Sequence, residues 1–276
     1  MSVSIKKITP EEFCVLVKMP EAAAGIIEEE RLKTEAKEYR AVRETFFRDW
    51  QEFNRQVNRE EGSSRRFLYY YVMFACEAYE DYQRKGLTEQ LYLDTFSDYR
   101  IWCENCYAQT GEYGLRECEW LWRHSYLKLF RLGRLQYELF PAREDISTGG
   151  FEIKKGQMLL NIHIPQGEPL RFEACEDSLR QAQKMFPDCH YFVCDSWLLY
   201  PGLKELMKPD SNIIRFQERF HIFEVNEAER DAELRIFRTV REAPADYPED
   251  TAFQKRAKAY LLAGRHLGNA SGIFML

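Results

Sequence analysis

Residues 157–201, QMLLNIHIPQGEPLRFEACEDSLRQAQKMFPDCHYFVCDSWLLYP, constrain the fold of this chain more than any other stretch. They read as strand, tight loop, helix and strand in about the length that one βαβ unit needs, which implies two parallel strands with a helix crossing over them. In the first strand Leu160, Ile162 and Ile164 share one face while Leu159, Asn161 and His163 share the other, and Pro165 ends it. Residues 173–186 form an amphipathic helix with Leu179, Ala182 and Met185 inward, and residues 191–197 a mostly apolar strand. A loop between a strand's carboxyl end and the following helix is where open α/β sheets bind ligands. Here that turn carries His163, Gln166 and Gly167.

The period of the apolar pattern changes once, near residue 126, and divides the chain into an expected helical domain, 1–126, and an α/β domain, 127–276. Thr9, Pro10 and Glu12 form a capping box. Pro20 opens a long helix whose apolar residues Val42, Phe46, Trp50, Phe53 and Val57 recur at helical spacing. A third helix begins at Ser63 or Ser64, carries the aromatic face Phe67, Tyr70, Tyr71, Phe74 and Tyr79, and stops at Gly86. Thr88 starts a fourth, and Gly111 and Gly114 precede a fifth at 115–126.

Beyond residue 126 the pattern alternates. Across Gly133 and Arg134 its phase slips, which predicts a β-bulge. FEIKKGQMLLNIHI is two short strands hinged at Lys155 and Gly156. Residues 201–207 and 211–216 read as short helices, HIFEV and LRIFRTV as strands, and residues 251–262 as a last helix before the terminal run GIFML. From Phe130 the order is β, β, β, α, β, α, β, β, so the sheet is mixed.

Composition sets limits on function. The chain has 276 residues, 45% of them apolar and 14% aromatic, which supplies a packed core. The net charge of −6, with both signs interspersed, excludes the basic stripe of a nucleic-acid surface. The absence of an apolar window of about 20 residues, or of a signal-peptide core, leads to the expectation of a cytoplasmic protein with no membrane partner. The eight cysteines (14, 76, 103, 106, 118, 175, 189 and 194) lie on helix faces and strands rather than in a disulfide frame, so reduced thiols are expected. Cys103 and Cys106, with Cys118 and His124 downstream, have ligand types for zinc but fall inside a helical pattern and read as packing residues. Alternation separates Cys189 from Cys194, and no metal is expected.

The element order and the phrases FRLGRLQYE, HIPQGEPL, CDSWLLYPGLKEL and SNIIRFQERF resemble a bacterial family of acyltransferases. That family joins a helical N-terminal domain to a C-terminal domain similar to the GNAT (N-acetyltransferase) superfamily. The resemblance spans essentially the whole chain and is densest from 127 to 223. It implies an α+β protein in which a mixed sheet flanked by helices follows a helical domain. In GNAT folds two neighbouring parallel strands splay, acyl-CoA or acetyl-CoA lies in the opening, and the next helix presents its N-terminus to the diphosphate. Residues 158–164, ending in Ile164, and 191–197 would be that pair, with Gln166 and Gly167 at the phosphates. The superfamily's loop usually ends on a second glycine or alanine; this chain has Gln166, Gly167, Glu168 and Pro169, and Glu168 adds a negative charge.

Chemistry singles out further candidates. His163 has the titration range to take a proton from an attacking ammonium, against the plainer reading of a hydrogen-bonded histidine at a strand end. Glu138, in phase with Gln136 and Arg134, is an alternative base if desolvated, or part of a solvated strand face. Arg131 and Arg134 have forks suited to a phosphate or carboxylate, or to a salt bridge with Glu138 or Glu152. Ser196 and Tyr200 follow the second splayed strand, where GNAT enzymes often keep a hydroxyl that protonates the leaving thiolate. Tyr200 is the stronger acid and Ser196 the better placed. No nucleophile elbow or Walker loop occurs, which removes covalent hydrolases and nucleotide triphosphatases. Two readings stay open: an N-acyltransferase moving an acyl group from CoA to an amine, and a non-catalytic binding or interaction protein on the same scaffold.

Overall fold

A computed structural model describes residues 5–116 and 118–276. It divides into two compact units, Met1–Leu132 and Gly133–Leu276. Among the described residues no helix is long and apolar enough to cross a membrane.

The first unit is helical up to its last strand. Its elements are α1 (Pro10–Leu16), α2 (Glu21–Lys33), α3 (Ala36–Arg48), α4 (Trp50–Asn58), α5 (Ser63–Arg84), α6 (Glu89–Thr110), α7 (Cys118–Ser125) and β1 (Leu129–Leu132). The capping box at Thr9 forms as expected: Glu12 N donates to Thr9 Oγ1 at 3.2 Å and Thr9 N to Glu12 Oε2 at 2.8 Å. The long helix expected after Pro20 is instead three. Thr34, Glu35 and Asp49 adopt extended backbone, and Asp49 Oδ1 accepts from Gln51 N and Glu52 N, both at 3.0 Å, restarting the helix as an N-cap. Period alone carried the apolar pattern straight through these breaks. β1, which the change of period assigns to the second domain, packs on α6, and its Arg131 N donates to Thr95 Oγ1 at 3.0 Å.

Aromatic side chains on α5 build the core of this unit. Phe67, Tyr70, Tyr71 and Phe74 are fully buried. Phe46 stacks on Phe74 with centroids 4.2 Å apart and meets Phe53, Tyr71 and Tyr126 edge-on. Such pairs contribute about 0.5–1.5 kcal/mol each beyond their burial. Two of the buried phenols find backbone acceptors, Tyr71 at the Cys118 carbonyl and Tyr92 at the Ala75 carbonyl, both at 2.8 Å. That pairing makes it tolerable to bury tyrosine among phenylalanines.

The second unit contains β2 (Leu135–Pro141), the hairpin β3 (Ile146–Thr148) and β4 (Phe151–Ile153), then β5 (Met158–His163), α8 (Phe172–Met185) and β6 (Tyr191–Ser196). After them come α9 (Leu203–Leu206), α10 (Asn212–Gln217), β7 (His221–Asn226), α11 (Asp231–Phe237), α12 (Ala252–Leu262) and β8 (Asn269–Met275). Gly133 and Arg134 form a turn between β1 and β2, with Gly133 at φ 68°, rather than a bulge within one strand. LRIFRTV is likewise no strand: its first half lies in α11, where Ala232, Ile236 and Phe237 are buried at helical spacing while Leu234 is 41% exposed. The terminal GIFML run belongs to β8.

This unit's strands run in the order β2-β5-β6-β8-β7, parallel between β5 and β6 and antiparallel elsewhere. Register places Leu139, Leu160, Phe192 and Phe274 in one row across four strands, with Phe192 stacked on Phe274 at 5.1 Å. α8 covers that face, and its Ser178 Oγ accepts from Leu135 N at 3.1 Å. On the opposite face Leu159, Val193 and Ile273 pack with Ile153 of the β3–β4 hairpin. Nearer the carboxyl ends of β5 and β6 this second face turns polar.

Candidate active site

β5 and β6 part company at their carboxyl ends. Their parallel register contains Leu160–Phe192 and Asn161–Val193 and, among the described residues, goes no further. Each strand is held on its other side: β2 pairs with β5 from Gln136–His163 to Pro141–Met158, and β8 with β6 from Tyr191–Met275 to Ser196–Ala270. Two fully paired flanks therefore hold open a wedge lined by backbone at 162–164 and 194–196. Ile164 lies at its rim, half-buried, just before Pro165.

The polar face carries a compact cluster on one side of this wedge. Register sets Glu138 opposite Asn161 and Gln136 opposite His163. His163 Nε2 lies 3.1 Å from Glu138 Oε2, both side chains being 15% exposed. The Asn161 amide stands 3.1 Å from the same nitrogen. With the Nε2 proton directed to the carboxylate, which makes Asn161 Nδ2 a neighbour of the ring rather than a donor to it, the ring's lone pair is on Nδ1, and an ionised Glu138 stabilises the positive charge that develops when Nδ1 takes a proton. Of the sequence candidates the structure thus joins His163 to Glu138 and adds Asn161, which sequence reasoning passed over although alternation already set it on the face of His163.

The loop beyond β5 is tied from behind. Arg134, 7% exposed, donates from Nη1 to the Pro165 carbonyl at 3.0 Å and from Nε to the Pro169 carbonyl at 3.3 Å. Gln166, Gly167 and Glu168 between them are exposed. Gly167 has φ 125°, a conformation that side chains disfavour. The loop runs into α8, whose N-cap Arg171 makes no side-chain cap, so the first-turn amides face outward with the positive end of the helix dipole. Arg215 lies over the Phe172 ring at 4.6 Å, which adds positive charge beside that end, while Arg219, 5.0 Å from the same ring, is ion-paired with Glu176 of α8. Arg131 stands in the first unit, with Nη1 donating to Ser97 Oγ at 3.3 Å.

Ser196 and Tyr200 have different settings. Ser196 ends β6, and its Oγ accepts from Leu198 N at 3.2 Å, which leaves the hydroxyl proton to donate elsewhere. Alternation from the Leu160–Phe192 pair puts Ser196 on the face opposite His163, and Asp195 on the face of His163. Tyr200, 6% exposed, donates to Glu227 Oε1 at 3.3 Å. Burial, followed by the charge of Glu227, pushes its phenol up to about 12. It lines a separate cleft of about 310 Å³ with Glu205, Glu227, Tyr260, Arg265 and His266.

The cysteines are thiols, every one buried. Cys103 and Cys106 are buried on α6, and the Nε2 of His124 faces Asp98 Oδ2 at 3.1 Å. Among the described residues no group of three His, Cys, Asp or Glu side chains gathers to hold a metal.

Comparison with known proteins bears on the family and the fold. The family model of the N-acyltransferase N-terminal domain matches residues 9–127, and that of the GNAT-like C-terminal domain matches residues 129–274. Among solved structures, an acyltransferase in complex with decanoyl-CoA and teicoplanin aligns with a TM-score of 0.75 at 21% identity, over 100% of this chain and 91% of that one. A mutant acyltransferase in complex with octanoyl-CoA gives 0.74 at 20%, and an acyltransferase in complex with CoA and 10C-teicoplanin gives 0.73 at 20%, each over 100% and 91%. At these identities the likeness establishes the fold. No curated protein matches the chain. The second family match alone covers more than half of the sequence, and so the chain belongs to the family that joins an N-acyltransferase N-terminal domain to a GNAT-like C-terminal domain.

Proposed function

We propose that this protein is an acyl-CoA-dependent N-acyltransferase that moves an acyl group from the CoA thioester to an amine of a small molecule or peptide. The observation that carries the proposal is the parting of β5 and β6 beyond Asn161 and Val193. Backbone released from a ladder needs other partners, and a pantetheine arm lying along the wedge supplies amide groups at that spacing. The thioester oxygen then meets amides from the freed strand, which stabilise the oxyanion of the tetrahedral intermediate. The diphosphate falls at Gln166, Gly167 and the first turn of α8, with Arg134 behind the loop through its bonds to the Pro165 and Pro169 carbonyls.

In this reading His163, oriented by Glu138, takes the proton from the incoming ammonium at Nδ1. The amine nitrogen attacks the thioester carbon, the C–N bond forms and the C–S bond breaks. The thiolate leaves with a proton from Ser196, since the Tyr200 hydroxyl is engaged by Glu227, and the second proton shed by the acylated nitrogen restores the Ser196 hydroxyl. A thioester lying between the two strands is approached from both faces of the sheet, which lets His163 and Ser196 act on it from opposite sides. The buried free thiols suit a reducing cytoplasm.

The solved neighbours make octanoyl-CoA and decanoyl-CoA the first donors to try. Calorimetric titration with each, followed by measurement of free thiol released in the presence of a panel of primary amines, tests the proposal. Binding with amine-dependent thiol release supports it. Binding without release from any amine favours the non-catalytic scaffold, to which the carboxylate of Glu168 in the loop lends weight. Absence of binding at millimolar donor overturns the acyl-CoA reading.

A further inference from the structure

Arg134 commits two donors of its planar fork to the two ends of a single loop, Nη1 to the Pro165 carbonyl at 3.0 Å and Nε to the Pro169 carbonyl at 3.3 Å. Prolines have no N–H, so the donors of this segment are concentrated on Gln166, Gly167 and Glu168, between the two tied carbonyls. A carbonyl turned toward an anion repels it. Drawing the Pro165 carbonyl back onto a buried guanidinium, and the Pro169 carbonyl onto the same group and Arg171 N, removes that repulsion from the exposed stretch 166–168.

The same guanidinium places a permanent positive charge behind the loop. Arginine is never neutral at physiological pH, and two hydrogen bonds from one rigid plane fix the loop's span as well as its charge. A lysine keeps the charge but has its three donors on one nitrogen of a flexible stem, so it does not hold the two carbonyls at a fixed span.

We infer that Arg134 is the positioning residue for the diphosphate of the acyl donor, acting through the carbonyls of Pro165 and Pro169 to shape the loop that receives it. The inference rests on the acyl-CoA reading above. It gives the chain a device of its own at the point where its loop departs from the glycine-rich pattern: order is imposed from behind by an arginine, while Gly167 supplies the one φ that side chains avoid.

The test compares two donors on the full chain, octanoyl-CoA and S-octanoylpantetheine; the latter has the thioester and the arm but no diphosphate. In Arg134→Lys and Arg134→Ala the Kd for octanoyl-CoA rises about tenfold or more, as expected for loss of charge-assisted contacts at one remove. The Kd for S-octanoylpantetheine changes less than about twofold, and the circular dichroism spectrum is retained. Equal weakening of both ligands, or unchanged octanoyl-CoA binding by Arg134→Lys, overturns the inference. Should Arg134→Ala fail to fold, Arg134→Lys alone decides. A native chain that binds S-octanoylpantetheine no less tightly than octanoyl-CoA overturns the diphosphate role. One that binds neither overturns the acyl-CoA reading, and this inference with it.

Discussion

His163 and Glu138 face each other across the antiparallel β2–β5 pair, with 3.1 Å between Nε2 and Oε2. Glu138→Gln keeps the side chain's shape and removes the charge that stabilises a protonated imidazole. Turnover falls about 10- to 100-fold while the KM for the acyl donor stays within about twofold, which steady-state kinetics reads directly. A matched rise in KM with constant kcat would place the pair in binding instead.

The two hydroxyl candidates separate by substitution. Ser196→Ala lowers turnover by about tenfold or more, because the leaving thiolate loses its proton donor. Tyr200→Phe leaves turnover near native and costs about 1 kcal/mol of stability, the worth of its bond to Glu227. The opposite ranking in kcat would assign the acid to Tyr200.

Gly268 precedes β8 where the chain passes β7 closely. A Cβ there would stand 2.2 Å from the Asn226 carbonyl oxygen and 2.9 Å from Glu227 Cα, both backbone atoms with little room to retreat. Gly268→Ala therefore destabilises the second unit by about 2 kcal/mol. Gly25→Ala, where nothing lies within 4 Å, is the control and leaves the urea midpoint unchanged or raised.

Alkaline pH should weaken the fold in a defined window. Burial pushes the Cys14 thiol from 9.0 up to about 11 and the Cys103 thiol up to about 12, and Tyr200 rises from 10.0 to about 12. The unfolded chain loses these protons first, so their contribution is intact below pH 9 and is lost as pH rises through the folded values. The melting temperature falls progressively between pH 9 and pH 11; a flat profile there would contradict the burial of these groups.

His124 is fully buried on α7, with Nδ1 3.2 Å from the Leu121 carbonyl and Nε2 3.1 Å from Asp98 on α6. Asp98→Ala leaves a polar ring in an aromatic surround of Phe96 and Tyr99. The loss is about 3 kcal/mol by chemical denaturation.

The βαβ unit, the helical first half, the capping box at Thr9 and the mixed sheet were legible because each rests on local spacing. What local spacing could not show was where tertiary contacts overrule it. Asp49 lies inside an unbroken apolar period yet restarts the chain as an N-cap. Ala232, Ile236 and Phe237 satisfy helical spacing, but LRIFRTV read in isolation also alternates. At the site, alternation on β5 was enough to place His163 and Asn161 together, but pairing them with Glu138 required the β2–β5 register. The carbonyl clamp of Arg134 has no sequence signature, since backbone oxygens carry no residue type.

β8 lies between β6 and β7, so the neighbour that completes β6 is made some 70 residues after it. During synthesis the helical unit has all of its parts long before residues 269–275 leave the ribosome, whereas β6 and β7 wait with open edges. Assembly of the donor wedge is therefore a late event, and ribosome-stalled chains ending before residue 269 should recruit chaperones through the second unit while the first is already protease-resistant.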